Sequence, residues 1–133
     1  MSTTTTTTVS QVANVIVPVA DQDAMLGFYT ETLGLELRAD VPFGDEDSGR
    51  WIEVAPAGAE TPIALCPPGP KGESGGKDTG ITLQVDDIDG YHAQLRERGV
   101  DVDAEVSRMG DPVPQLCWFR DPEGNQLMIV EVS

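Results

Sequence analysis

Phe119-Arg120-Asp121-Pro122-Glu123-Gly124-Asn125-Gln126-Leu127-Met128-Ile129-Val130-Glu131 reads as strand, tight turn, strand. Asp-Pro-Glu-Gly-Asn is turn chemistry: Pro122 presets its own φ, Gly124 or Asn125 supplies a positive φ, and Asp121 bonds the backbone ahead of it. Beyond the turn, side chains alternate, so Leu127, Ile129 and Glu131 share one face of an extended strand. A carboxylate therefore ends an apolar row. If that row faces a core, Glu131 must be paired, protonated or bound to something; the alternative is a solvated chain end.

Working outward, the chain before this hairpin carries one pattern twice. Val12–Val19 (VANVIVPV) is β-branched and strand-like. Asp21 is placed to cap a following helix, with Asp23 in its first turn. Met25, Phe28, Tyr29 and Leu33 recur at helical spacing, and Gly34 suits the position just past the helix end. Strands follow at Leu35–Val41, Arg50–Ala55 and Thr61–Cys66, with an acidic loop (Phe43–Gly49) and a turn (Ala55–Glu60) between them. On Arg50–Ala55, Trp51 and Glu53 share one face and Ile52 and Val54 the other.

Pro67–Thr79 (PPGPKGESGGKDT) is dense in Pro and Gly and reads as a linker. Its Gly-Gly-Lys is not a phosphate loop, because the leading Gly is wrongly spaced and Asp78 follows Lys77. The pattern then restarts. Gly80–Val85 is a strand, Asp87 caps a helix striped by Ile88, Tyr91 and Leu95, Gly99 closes it, and Val100–Arg108 and Pro114–Phe119 are strands before the hairpin. Val19-x-Asp21-x-Asp23 with Leu33-Gly34-Leu35 matches Val85-x-Asp87-x-Asp89 with Arg98-Gly99-Val100. This is a duplicated βαβββ unit, an α+β architecture in which two modules side by side can curve into a shared concave sheet. Residues 1–10 read as a disordered Thr-rich tail. Residues 11–133 form one domain: module 1 over about 11–67, the linker over about 67–79 and module 2 over about 80–133.

Composition narrows the function. A chain of 133 residues suits one domain and buries about two-thirds of its unfolded surface without staples. Eight Lys plus Arg against 23 Asp plus Glu leave a net charge of -15. That argues against nucleic acid and anionic membranes as partners, and the field concentrates cations near any cleft. No apolar run approaches a membrane span, and the Thr-rich start has no secretory pattern. Cys66 and Cys117 lack metal or redox spacing and read as small core thiols of a reducing cytoplasm.

At this point the sequence resembles the vicinal oxygen chelate superfamily of glyoxalases, bleomycin-resistance proteins and extradiol dioxygenases. The resemblance covers nearly all of residues 12–132. Its carriers are Val19-x-Asp21 running into Phe28-Tyr29 and Leu33-Gly34, Val85-Asp86-Asp87-Ile88, and Phe119 to Asn125 of the opening stretch. The resemblance implies two βαβββ modules forming a curved eight-stranded mixed sheet with a central cavity, and a homodimer. In the family's enzymes a divalent metal is held by four side chains, and the corresponding positions here look like Asn14, Glu53, Gly80 and Glu131. Two carboxylates are kept and both imidazoles are absent. The single histidine, His92, falls on the second helix, where it reads as a packing residue.

Zn, Ni and Fe prefer imidazole or thiolate to an oxygen-only set; Mg or Mn would be held weakly, with waters. One histidine cannot supply a dioxygenase triad. The resemblance therefore points to a metal-free, cofactor-free small-molecule binding protein of the bleomycin-resistance type, which sequesters a cationic or aromatic compound in a cleft at the dimer interface. Phe43, Trp51, Trp118 and Phe119 are its candidate aromatic surfaces, with Asn14 and Gly80 beside them. The acidic Asp45-Glu46-Asp47 loop is placed to attract a cation. The alternative is a glyoxalase-like lyase or isomerase that uses Glu53 and Glu131 as ligands of a divalent metal (Mg, Mn, Ni or Zn) or as general acid and base.

Overall fold

The computed structural model describes residues 6–44, 49–68 and 73–132; the Asp45-Glu46-Asp47 loop lies outside them. Module 1 runs β1 (Val15–Pro18), α1 (Gln22–Gly27) continuing into a single π-helical turn (Phe28–Thr32), β2 (Glu36–Pro42), β3 (Arg50–Ala55) and β4 (Ile63–Cys66). Module 2 runs β5 (Asp78–Val85), α2 (Ile88–Glu97), β6 (Asp101–Val102), β7 (Leu116–Arg120) and β8 (Gln126–Glu131). Both βαβββ modules of the α+β fold are present. No helix among the described residues is long and apolar enough to cross a membrane.

The strand orders repeat: β1-β4-β3-β2 and β5-β8-β7-β6, each with one parallel pair (β1–β4, β5–β8) and antiparallel pairs beyond it. Within one chain the eight strands make two four-stranded sheets rather than one continuous curved sheet. β1 and β5 each end their sheet and pair on one side only.

Capping at the helix starts follows the sequence. The Asp21 carboxylate accepts from the Ala24 amide at 3.0 Å, and Asp87 accepts from the Gly90 amide at 3.0 Å. Two elements are shorter than their sequence suggests. β1 begins at Val15, and residues 6–14 carry no regular structure. The Val100–Arg108 stretch contracts to Asp101–Val102 plus one isolated bridge, Ser107 to Leu116. The break falls at Asp103, whose carboxylate serves the Trp118 amide and the Arg120 guanidinium instead.

A single core joins the modules. Val17, Ile52, Val54, Ile63 and Leu65 from the first sheet meet Cys117, Phe119, Leu127 and Ile129 from the second, with Met25, Tyr29, Ile88 and Leu95 from the helices among them. Each fully buried Leu, Ile or Phe contributes roughly 1.5–3 kcal/mol. The Phe28 ring lies 6.5 Å from that of Phe119, the Tyr91 hydroxyl donates to the Leu33 carbonyl at 3.0 Å, and Arg98 donates to the Thr32 carbonyl at 2.6 Å. The helix-bearing faces of both sheets thus share one interior, and their other faces point away from it.

The Asp121–Asn125 turn binds the halves together. Asp121 is 3% exposed. Its Oδ1 accepts from the Glu123 and Asn125 amides at 3.0 and 2.9 Å, and its Oδ2 from the Asn125 side chain at 3.0 Å and the Tyr29 hydroxyl at 2.8 Å. Gly124 takes φ +82°, the left-handed conformation that favours glycine.

Candidate functional site

Alternation along β3 and β8 decides which side chains leave the core. On β3, Ile52 and Val54 are fully buried, so Trp51 and Glu53 stand on the outer face. The Trp51 indole Nε1 donates to Glu53 Oε2 at 2.9 Å. The Phe43 ring meets Trp51 edge-on, with centroids 6.2 Å apart at 79°. Across the sheet, Glu53 is flanked by Ala39 of β2 and Ala64 of β4, and Ile16 of β1 continues the row. Among the described residues no Lys or Arg forms an ion pair with Glu53. Its charge reaches Cys66, whose thiol is pushed up by burial first and by this carboxylate second, against a lowering backbone hydrogen bond at Ile52.

The outer face of the second sheet carries the counterpart. Met128 pairs with Trp118 on one side and Thr82 on the other, repeating the way Ala64 pairs with Glu53 and Ile16. Trp118 and Met128 are half-buried. Beside them Arg120 is engaged by Asp101 and Asp103 at 3.0 and 2.9 Å. Arg120 holds the exposed Asp101 carboxyl below the usual carboxylate range.

The remaining candidates are scattered. Glu131 does sit at the end of the apolar row of Leu127 and Ile129, and that row faces the core. Its Oε1 accepts from the Ile88 amide at 3.1 Å, so it serves the start of α2. It is on the opposite face from the one that matches Glu53, and the structure does not bring the two carboxylates together. Phe119 is fully buried against Phe28 and lines no outer surface, which corrects its placement among the ligand-facing aromatics; its neighbour Trp118 takes that side by alternation. Asn14 lies half-buried just ahead of β1. His92 packs α2 against β6, with Nε2 2.7 Å from the Asp103 carbonyl.

A cavity of about 810 Å³ opens between the free edge of β5 and the starts of β1 and β4, with Val15, Ile63, Ile81 and Leu83 in its lining. Of the residues singled out from the sequence only Gly80 borders it. Among the described residues no three His, Cys, Asp or Glu side chains lie where they could share a metal ion. The donor set therefore does not fit a four-ligand metal site within one chain. Met128 was missed, although the alternation of Leu127 and Ile129 already turns it to the outer face.

Residues 10–129 match the Glyoxalase/Bleomycin resistance protein/Dioxygenase superfamily. The chain belongs to that superfamily. Among solved structures, TnmS3, an antibiotic binding protein from Streptomyces sp. CB03234, is 38% identical and superposes with a TM-score of 0.81, over 96% of this chain and 100% of that one. A superfamily member from Sphaerobacter thermophilus DSM 20745 is 36% identical with a TM-score of 0.85, over 93% and 98% of the two chains. The uncharacterized protein YetH of Bacillus subtilis (strain 168) is 33% identical over 128 residues, 92% of this chain and 99% of its own.

Proposed function

We propose that this superfamily member binds an aromatic small molecule of the antibiotic type, without a metal, and does so as a homodimer. The observation that carries the reading is that each sheet turns one tryptophan away from the shared core. Trp51 and Trp118 are half-buried on faces that, among the described residues, no helix of the same chain covers. A rigid ring with a large apolar area is what a planar ligand stacks against. The antibiotic-binding role of TnmS3, alike over nearly the whole chain, supports the same reading. Within the described residues one chain directs the two tryptophan faces outward from one interior, so they do not face each other. A second copy that sets the Trp51 face of one chain against the Trp118 face of the other makes two equivalent clefts.

Tryptophan quenching by planar aromatic antibiotics tests this directly. Saturable quenching is expected, unchanged by prior chelation, from a protein that light scattering shows to be a dimer. Trp118→Phe is expected to weaken binding and leave the fold intact. Binding that vanishes on chelation, with a stoichiometric metal recovered by mass spectrometry, overturns the metal-free part. Turnover of a bound compound that is lost in both Glu53→Gln and Glu131→Gln makes the protein an enzyme instead.

A further inference from the structure

We infer that Glu53, held in place by Trp51, selects a protonated amine on the aromatic ligand over its uncharged analogue. This rests on the binding reading above and names the ligand's charge and the residue that reads it. Glu53 is a half-buried carboxylate with no ion-pair partner among the described residues. Its unbonded oxygen is open to solvent in the single chain, and covering this face with a ligand strips that water away, a cost that a cation on the ligand relieves.

Its surroundings decide what kind of cation fits. The Trp51 indole N–H occupies Oε2 at 2.9 Å, and no hydrogen bond to Oε1 is present among the described residues. Trp51 is itself steadied edge-on by Phe43. On both neighbouring strands the residue beside Glu53 is alanine, Ala39 and Ala64, so no large side chain crowds the carboxylate from either flank. One oxygen is thus pinned by the residue whose ring the ligand stacks on, and the other is open to a single N–H donor. Metal ions need several donors, which this position does not collect among the described residues. An ammonium needs one acceptor oxygen and gains further from the indole face. Trp51 is a positioning residue here, because it acts on the cation through the carboxylate it holds.

The test uses two probes with one three-ring frame: 9-(aminomethyl)anthracene, an ammonium at neutral pH, and 9-(hydroxymethyl)anthracene, uncharged there. Wild-type protein is expected to favour the ammonium probe by about tenfold or more, the ratio a charge-assisted hydrogen bond supplies. Glu53→Gln, which keeps shape and the indole contact, is expected to bring the ratio close to one by lowering affinity for the ammonium probe more than for the alcohol. Trp51→Phe keeps a ring but removes the N–H, and is expected to narrow the ratio. A purely structural role for Trp51 would lower both affinities together and leave the ratio intact. Equal binding of the two probes by wild type overturns the inference and leaves the aromatic-binding reading standing. Failure of both probes to bind overturns the two together.

Discussion

Asp121 is a buried carboxylate with no ion-pair partner among the described residues, stabilised by four hydrogen bonds, three of them from inside its own turn. The fourth comes from Tyr29 in the other module. Removing that hydroxyl withdraws a hydrogen bond to a charged acceptor at a dry position, so Tyr29→Phe is expected to lose about 1.5–3 kcal/mol of stability in urea at pH 7. The same contact sets a pH signature. Burial first, and then the Asp121 charge and its hydrogen bond, raise the Tyr29 phenol above its ordinary value. A raised folded-state value means a contribution fully present below the ordinary phenol range near ~10 and lost as pH climbs past it. Wild type is therefore expected to weaken more steeply above about pH 10 than Tyr29→Phe, so that the two stability curves converge. Parallel curves from pH 7 upward would show that the phenol titrates no differently in the folded chain.

At the scale of the element, α1 is short, six residues before its π turn, and too short to be stable alone. It is held from outside. The Glu123 carboxylate, from the turn of module 2, accepts from the Ala20 amide at 2.8 Å and the Asp21 amide at 2.9 Å, beside the Asp21 cap. A carboxylate at a helix N-terminus satisfies orphan donors and complements the dipole. Glu123→Ala is expected to cost about 1–2 kcal/mol and to speed amide exchange across Gln22–Thr32 more than across α2. Uniform exchange changes would mean that the contact is incidental. Much of the framework was legible beforehand: both Asp caps, the Gly ends of both helices, the hairpin turn and the repeat itself are local chemistry. What escaped depends on contacts distant in sequence. The π turn is held by the Leu33 amide reaching the Phe28 carbonyl while Phe28 packs on Phe119. Glu123 reads as an ordinary turn residue until α1 is seen beside it. Trp51 and Glu53 were placed on one face by period two, whereas Glu131 was joined to Glu53 by resemblance, against the alternation that sends it to α2.

At the scale of the molecule, the repeat suggests two units that stand alone, and the packing makes them one. Residues of both sheets and both helices form a single core, so either module by itself would expose Ile52, Val54 and Leu65 or Cys117, Phe119 and Ile129. A unit of about 55 residues with an opened core is near the lower limit for independent folding. The joins between the halves, Tyr29 to Asp121, Glu123 to α1 and Tyr91 to Leu33, add polar contacts that neither half satisfies alone. The full chain is therefore expected to unfold in one calorimetric transition whose van't Hoff and calorimetric enthalpies agree. Residues 11–67 and 80–133, produced separately, are expected to show no cooperative melting and to recover it when mixed. Two resolved transitions in the intact chain, or a cooperative melt from either half alone, would mean that the modules fold independently. Tyr29→Phe and Glu123→Ala would then each move one transition only. In the single-core arrangement, both variants shift the whole curve.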